Sequence, residues 1–203
     1  SPAGVITSRT QRCSMLIEQS QIEAWLREDI GHHDVTNDVP GETTGRLVAK
    51  QDGVAAGLDA AAAVFEYLDV SVTERVEDGT RVSAGDELLA VAGTASDLLR
   101  GERVAANLVG HASGIATTTR RAVDAAREVR EDVAVAATRK TTPGLRGIEK
   151  RAVAAGGGDT HRLTLSHMVL VKENHVAELG MAEAVSRCVD RVSFATKVEC
   201  EVE

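Results

Sequence analysis

The chain has 203 residues, of which 43% are hydrophobic and 27% are charged, and its formal net charge is −8. This length is enough for two modest domains, and the composition is typical of a soluble globular protein. The sequence also predicts no membrane-spanning segment, because no apolar run is long enough to cross a bilayer. The acidic balance also argues against nucleic acid as a partner, unless positive charge is gathered in one place.

The N-terminal tail and the cysteines indicate the compartment. Residues 1–14 are polar and lack the apolar segment of a secretory signal, so we interpret them as a flexible tail, with Met15 as a candidate original start. Cys13, Cys188 and Cys200 are odd in number and far apart, which argues against a disulfide framework or a metal knuckle. The sequence therefore predicts a protein of the reducing cytoplasm.

The first half of the chain predicts an α+β domain. SQIEAWLRE predicts a short amphipathic helix, with Ser20 and Glu23 at the spacing of a capping box. A polar loop follows, in which His32 and His33 lack a third metal ligand at a suitable spacing, so we expect a turn there. Strands are expected in RLVAKQDGVAAG and VSVTERV, with an alanine-rich helix between them, and two more in VEDGTRVSAGDELLAVAG.

A long helical pattern begins at Ser96. Apolar residues recur there at spacings of three and four, and we expect a break near Ser113 and Gly114. We place the domain boundary at this break. The N-terminal α+β domain then covers residues 15–112, and a second domain covers 113–203.

Strand and helix patterns alternate in the second half, which predicts a parallel sheet or barrel. Strands are expected in VAVAA (133–137), LTLSHMVLVK and ATKVECEV, with helices in GIEKRAVAAGGG and around MAEAVSRCVDRV. In such folds the binding site lies at the carboxyl ends of the strands. The loop TRKTTPGLR is the first segment expected at that end.

Positive charge is gathered in residues 138–175. They hold seven of the 23 lysines and arginines against three acids, a net charge of +4, and three of the six histidines. Lys150 and Arg151 are expected on the solvated face of their helix, because lone basic residues are usually surface charges. His167 and His175 are expected to be histidines with satisfied hydrogen bonds rather than metal ligands.

Charged side chains are expected at one end of the parallel sheet. Arg139 and Lys140 follow the first strand, Lys172 ends the second, and Glu199 and Glu201 lie on or after the third. A guanidinium binds carboxylate or phosphate bidentately, and lysine supplies a point charge. Two carboxylates on one strand face are costly unless cations or a metal meet them. The pattern predicts a site for an anionic ligand.

The run GGGDTHR places three glycines shortly before His161 and Arg162. The glycines could form a helix C-cap and a surface loop, or they could let the backbone approach a ligand closely. The sequence leaves both interpretations open.

These stretches resemble one family. ATRKTTPGLRGIEKRAVAAGGGDTHRLTLSHMVLVKENH resembles quinolinate phosphoribosyltransferase (carboxylating nicotinate-nucleotide pyrophosphorylase) almost without gaps, and GERVAANLVGHASGIAT, KVECEVE and EDIGHHDVTND extend the resemblance over residues 15–203. It implies an α/β fold, with an N-terminal α+β domain followed by a parallel α/β barrel. Family members continue past KVECEVE, so we expect a C-terminally truncated barrel with about three of the family's six strands.

The resemblance also implies a reaction. Family members are pentosyltransferases of NAD biosynthesis that join quinolinate to phosphoribosyl pyrophosphate with Mg²⁺. They release pyrophosphate and carbon dioxide and give nicotinate mononucleotide. Both substrates are strongly anionic, which matches the basic loop.

Site residues follow from the same resemblance. Five basic residues would bind quinolinate: Arg103, Arg139, His161, Arg162 and Lys172. Lys140 would lie near the phosphoribosyl group, Glu201 would face the ribose or its magnesium ion, and these two would be catalytic together with Lys172. Arg103 would reach the quinolinate pocket of the neighbouring subunit, which implies a homodimer with shared active sites.

Three other interpretations are open. The chain could be a non-catalytic, dicarboxylate-binding module of the same family. It could be a Schiff-base barrel enzyme with Lys172 as nucleophile, which requires a desolvated lysine. The glycine-spaced VEDGTRVSAGDELLAV suggests a lipoyl or biotinyl carrier, but it has no lysine at its turn.

Overall fold

A computed structural model describes residues 17–201, so the predicted tail, Met15 and Cys13 lie outside the described residues. By their contacts these residues form two units, one made of 17–137 with Thr141–Thr160, and one made of Thr138–Lys140 with 161–201. The elements are α1 (Gln19–Ile30), β1 (Glu42–Val48), β2 (Gly53–Val54), α2 (Leu58–Tyr67), β3 (Ser71–Arg75), β4 (Arg81–Val82), β5 (Glu87–Thr94), α3 (Ala95–Val129), α4 (Arg146–Ala155), β6 (Val169–Val171), α5 (Glu173–Leu179), α6 (Met181–Val189) and β7 (Val198–Cys200). No helix among these combines the length and hydropathy needed to span a membrane.

The first unit combines helices with antiparallel strands, as its sequence pattern predicts. β5 is the central strand of a three-stranded sheet of order β1-β5-β3, with Arg46 opposite Ala90 and Val72 opposite Val91. β2 and β4 form a separate antiparallel pair. Leu89 and Val91 of β5 are buried and pack with Leu58 of α2 in one hydrophobic cluster. Each buried side chain of this size contributes about 1.5–3 kcal/mol to stability.

Helix α3 is continuous over 35 residues, so the break expected near Ser113 and Gly114 is wrong. Its first turn is capped by Thr94, whose hydroxyl accepts a hydrogen bond from the Asp97 N–H at 3.1 Å. The Ser113 hydroxyl accepts from the Ala56 N–H at 3.0 Å and donates to the Ala56 carbonyl at 3.2 Å. The serine therefore joins α3 to the chain between β2 and α2 and leaves the helix intact.

The capping box expected at the first helix is also wrong. α1 begins at Gln19, so Ser20 lies inside the helix, and Glu18 occupies the N-cap position without a side-chain cap. Ser20 instead donates to the Glu18 carboxylate at 3.3 Å, and the Gln19 amide donates to Glu23 at 3.0 Å. The serine lies too late in the chain to cap a helix that begins before it.

The turn expected at His32 and His33 is confirmed. A hydrogen-bonded turn includes His32, and the Asp34 carboxylate then accepts the N–H groups of Thr36 and Asn37 at 3.0 and 3.1 Å. This is an Asx-type turn, in which a short acidic side chain replaces a backbone acceptor.

The strand expected at residues 133–137 is wrong. One parallel bridge joins Ala136 to Asp159, with hydrogen bonds from Ala137 to Asp159 (2.9 Å) and from Asp159 to Val135 (2.8 Å). The alternating residues are half-buried and exposed rather than buried throughout. Pairing with a single residue is too short to build a strand.

The glycine run packs the end of α4 against α3. A Cβ at Gly156 would lie 2.5 Å from the Ala116 carbonyl oxygen, and one at Gly158 would lie 2.8 Å from the Thr119 methyl. Gly157 has a φ of +86°, which favours glycine. Gly156 is the C-cap residue of α4, as one of the two interpretations expected, and helix packing explains the glycines in place of a surface loop.

Lys150 and Arg151 are not solvated, so that prediction is wrong. Lys150 is 1% exposed and its ammonium donates to the Thr160 carbonyl. The Arg151 side chain is mostly buried and pairs with Asp59 at 3.5 Å. Both side chains are buried because α4 packs within the first unit. There the Thr160 carbonyl accepts from Lys150, and Asp59 pairs with Arg151.

The second unit contains a parallel strand pair. Val169 of β6 lies opposite Val198 of β7, and Val171 lies opposite Cys200. The helix expected around MAEAVSRCVDRV is confirmed as α6, and α5 before it was not predicted. Cys188 and Cys200 are free thiols.

Candidate active site

The parallel pair β6–β7 brings Lys172 and Glu201 together. Each is the residue that directly follows its strand, and the Glu201 N–H donates to the Val171 carbonyl at 2.9 Å. The Lys172 ammonium lies 3.0 Å from the Glu201 carboxylate, with both side chains half-exposed. Because the carboxyl ends of parallel strands meet at one edge, the pair marks the edge at which the sequence predicts a site.

His161 and Glu199 form a second pair in the same unit. The His161 Nε2 lies 3.2 and 3.3 Å from the two Glu199 carboxylate oxygens, and the Lys197 ammonium lies 3.7 Å from the same carboxylate. The hydrogen bond from His161 lowers the pKa of the Glu199 carboxyl below its ordinary value of 4.5, with smaller help from Lys197. An ammonium group thus lies beside each of the two carboxylates, Lys197 beside Glu199 and Lys172 beside Glu201.

The backbone at His161 is in the left-handed region, with a φ of +52°. Such angles are uncommon for a residue that carries a Cβ, and they occur often at functional sites. The unusual turn lies directly before Arg162. The turn belongs to the segment that carries the predicted ligand-binding side chains of His161 and Arg162.

Arg162 is the most deeply buried of the predicted site residues, at 7% exposure. Within the described part of the chain, no hydrogen bond is made by its buried Nε. An unpaired buried donor costs about 1–3 kcal/mol, more when it is charged. A ligand that supplies acceptor oxygens would remove this cost.

Arg139 and Lys140 group by contacts with residues 161–201 rather than with the chain around them. Arg139 is half-buried, with its Nε beneath the surface, and Lys140 is exposed. The Lys140 N–H donates to the Thr138 hydroxyl at 3.0 Å, which turns the backbone between them. The second unit therefore collects six of the predicted site residues: Arg139, Lys140, His161, Arg162, Lys172 and Glu201.

Comparison with known families decides the relationship of this chain. Residues 33–113 match the N-terminal domain model of quinolinate phosphoribosyl transferase, and residues 115–203 match its C-terminal domain model. The chain belongs to the quinolinate phosphoribosyl transferase family.

Curated relatives of this quinolinate phosphoribosyl transferase family member are consistent with that membership. A probable nicotinate-nucleotide pyrophosphorylase [carboxylating] of Methanothermobacter thermautotrophicus is 43% identical over 187 residues, or 90% of this chain and 67% of the relative. The nicotinate-nucleotide pyrophosphorylases [carboxylating] of Mycobacterium leprae and Homo sapiens are 41% and 38% identical, covering 94% and 89% of this chain. The chain spans about two thirds of the length of such relatives, from 62% to 69% in these three.

Solved structures share the fold. NadC from Streptococcus pyogenes matches 91% of this chain and 68% of its own, with a TM-score of 0.81 and 37% identity. The nicotinate-nucleotide pyrophosphorylase from Francisella tularensis matches 92% of this chain and 69% of its own, with a TM-score of 0.82 and 30% identity. An α/β fold with the two family domains is thus established for this chain.

The other two histidines of the second unit, His167 and His175, make the hydrogen bonds that were predicted. His167 Nδ1 accepts the Leu163 N–H at 3.2 Å, and His175 Nδ1 accepts the Lys172 N–H at 3.0 Å. Both therefore have local structural partners. The second bond fixes the backbone of Lys172 at the point where β6 ends.

Arg103 lies in the other unit, on an exposed stretch of α3. The structure does not place it with the six residues of the second unit. Its assignment to a neighbouring subunit's pocket stays a prediction.

Glu201 is the carboxylate at the strand ends that would hold a magnesium ion together with substrate oxygens. Residues 17–201 contain no group of three histidine, cysteine, aspartate or glutamate side chains that could form a protein cage for a metal. Mg²⁺ commonly uses one or two carboxylates, waters and substrate phosphates instead. Glu201, half-exposed beside Lys172, is a donor of that kind.

Proposed function

We propose that this chain transfers the phosphoribosyl group of phosphoribosyl pyrophosphate to quinolinate, with decarboxylation, to give nicotinate mononucleotide, pyrophosphate and CO₂. This is the carboxylating pyrophosphorylase step of NAD biosynthesis. The observation that carries the proposal is Arg162, a buried guanidinium with an unpaired Nε in a chain of this family.

The basic residues of the second unit suit quinolinate. Its two adjacent carboxylates match the planar forks of Arg139 and Arg162, while His161 and Lys172 add donors near the strand ends. His161 is already paired with Glu199, and Lys172 with Glu201. A ligand that binds His161 or Lys172 would therefore compete with these carboxylates. Arg162 has no such competitor at its Nε.

The chemistry needs positioning and charge rather than a protein nucleophile. The ring nitrogen of quinolinate attacks the ribose carbon as pyrophosphate leaves, and positive charge develops on the sugar. The Glu201 carboxylate would stabilise this charge, and Lys140 and Lys172 would neutralise the leaving pyrophosphate. When the adjacent carboxylate then leaves as CO₂, its bonding electron pair stays on the ring carbon, where the positive ring nitrogen stabilises it, and a proton from water adds to that carbon.

Magnesium would be held by Glu201, through water or through substrate oxygens. When bound, it would supply charge neutralisation on the pyrophosphate.

The finer architecture is part of the same proposal. We assign β6 and β7 to a parallel α/β barrel, with a domain boundary near residue 113, where the two family models meet within α3. We also assign the protein to the cytoplasm and to a homodimer in which Arg103 completes the partner's quinolinate site. The parallel register of β6 and β7 supports the barrel.

The Schiff-base alternative is not supported by the site. Lys172 is half-exposed and lies 3.0 Å from Glu201. A Schiff-base lysine must be desolvated to act as a neutral nucleophile. An exposed ammonium paired with a carboxylate is the opposite arrangement.

Calorimetry and product analysis test the proposal together. The chain should release or take up heat on titration with quinolinate but bind nicotinate, which has one carboxylate, more weakly. With phosphoribosyl pyrophosphate and Mg²⁺ it should form nicotinate mononucleotide, detected by mass spectrometry. Binding without product would favour the dicarboxylate-binding module, and absence of quinolinate binding would overturn both interpretations.

A further inference from the structure

Two consecutive charged residues of α4, Glu149 and Lys150, are buried. Glu149 is 9% exposed and Lys150 is 1% exposed, although the flanking positions Ile148 and Ala152 already supply the apolar contacts of this helix. Buried charges are costly, and well-packed apolar residues often serve stability as well or better. Stability alone therefore does not account for the pair.

Glu149 binds the backbone that follows the first anion-binding segment, Thr138–Lys140. Its two carboxylate oxygens accept the Thr142 N–H at 3.2 and 3.3 Å, and its Oε1 lies 3.0 Å from His111 Nε2. Burial raises the pKa of the Glu149 carboxyl, but the hydrogen bonds from Thr142 and His111 together outweigh it and leave the pKa below its ordinary value. The acceptor is thus ionised at neutral pH.

Lys150 binds the backbone that precedes the second anion-binding segment. Its ammonium donates to the carbonyl of Thr160, the residue directly before His161 and Arg162. Its whole side chain is enclosed. The next residue, His161, has the left-handed backbone described above, so this carbonyl lies at the start of an unusual turn.

We propose that Glu149 and Lys150 are positioning residues that fix the two anion-binding segments from one helix. Glu149 holds the chain after Arg139 and Lys140, and Lys150 holds the chain before His161 and Arg162. Charged hydrogen bonds to backbone groups are strong and directional, and a site loses function when the elements that support it are loose. The proposal rests on the proposed function for the identity of the ligand.

Local flexibility distinguishes this role from a general contribution to helix stability. Trypsin can cut after Lys140 in the first segment and after Arg162 in the second, and exchange of the Thr142 amide reports the first segment directly. Glu149→Leu should speed Thr142 exchange and cleavage after Lys140 by about tenfold or more, because a charged hydrogen bond is lost. Lys150→Met should instead speed cleavage after Arg162.

Two further variants serve as controls. Ile148→Ala removes a buried neighbour that packs in the hydrophobic core, and it should lower thermal stability without this segment-by-segment selectivity. Glu149→Gln keeps one acceptor oxygen and should restore most of the protection at Thr142. The proposal is overturned if Glu149→Leu and Lys150→Met speed exchange and cleavage equally in both segments. It is also overturned if they speed them no more than Ile148→Ala does.

Quinolinate titration adds the functional arm. Glu149→Leu and Lys150→Met should each weaken quinolinate binding by roughly tenfold to a hundredfold, the range known for removal of the hydrogen-bond partners that orient metal ligands. Ile148→Ala should bind normally at a temperature where it is folded. If the unchanged chain does not bind quinolinate, the proposed function fails, while the cleavage and exchange pattern still decides the positioning role.

Discussion

Arg162 combines a buried side chain with an unpaired Nε, and this gives a prediction for a single substitution. Arg162→Ala should weaken quinolinate binding by about 2–4 kcal/mol, because a desolvated charged hydrogen bond is lost. Isothermal titration measures the change. Arg187→Ala is a matched control in the same unit, since Arg187 is exposed and pairs with Glu183 on the surface of α6. Equal affinity of Arg162→Ala and the unchanged chain would remove Arg162 from the site.

The pair formed by His161 and Glu199 gives a prediction about pH. Because the pKa of Glu199 is lowered in the fold, the pair stabilises the protein above the ordinary value of 4.5 and loses this contribution as the pH falls through the folded value. His161→Ala should move the pKa of Glu199 upward, toward 4.5, in a carbon-detected NMR titration of its carboxyl group. A pKa that stays in place would show that His161 does not set it.

The basic residues of the candidate site can be named from the sequence, but the burial of Lys150 cannot. The family resemblance indicates Arg139, His161, Arg162 and Lys172, and the structure groups them in one unit. Lys150 was expected on the surface, because a buried lysine and an exposed one look the same in a sequence. Only the packing of α4 and the position of the Thr160 carbonyl show the difference.

Helix α3 allows a direct test at the scale of elements. Gly114 lies within the helix with open space around its Cα, so Gly114→Ala should raise the free energy of unfolding by about 0.5–1 kcal/mol. Urea denaturation measures this change. A helix broken at Ser113 and Gly114, as the sequence suggested, would not gain stability from alanine.

At the contact between α4 and α3, a glycine-to-alanine substitution is expected to have the opposite effect on the free energy of unfolding. Gly156→Ala should lower the free energy of unfolding by about 1–3 kcal/mol, because the new Cβ would lie 2.5 Å from a backbone oxygen of α3 that cannot move aside cheaply. Gly114→Ala is its matched control, with the same substitution in open space. A neutral effect at Gly156 would mean that the two helices separate easily.

Helices and strands can be predicted from this sequence where the spacing of apolar residues is regular over many residues, and not where the apolar run is short. The buried residues of α3 recur at helical spacing from Leu98 to Val123, so its existence followed from the sequence. Residues 133–137 are apolar enough for a strand, but the partner of Ala136 is Asp159, 23 residues further along the chain, and no local pattern contains it. α5 has no buried residue, so it left no apolar stripe to detect.

At the scale of the whole molecule, charge is distributed unevenly. The chain is acidic overall, yet the second unit gathers Arg139, Lys140, Arg162 and Lys172 together with His161. A local group of basic side chains in an acidic protein favours small anions over polyanions such as nucleic acid, because the net negative charge of the chain repels a large polyanion. The whole-molecule pattern therefore agrees with a compact dianion such as quinolinate.

A crystal structure of this chain with quinolinate tests the proposed site most directly. One carboxylate of the ligand should lie within hydrogen-bond distance of the Arg162 guanidinium, with Arg139, His161 and Lys172 around the same ring. Quinolinate bound elsewhere, or a structure in which Arg162 keeps its Nε unpaired at saturating quinolinate, would contradict it.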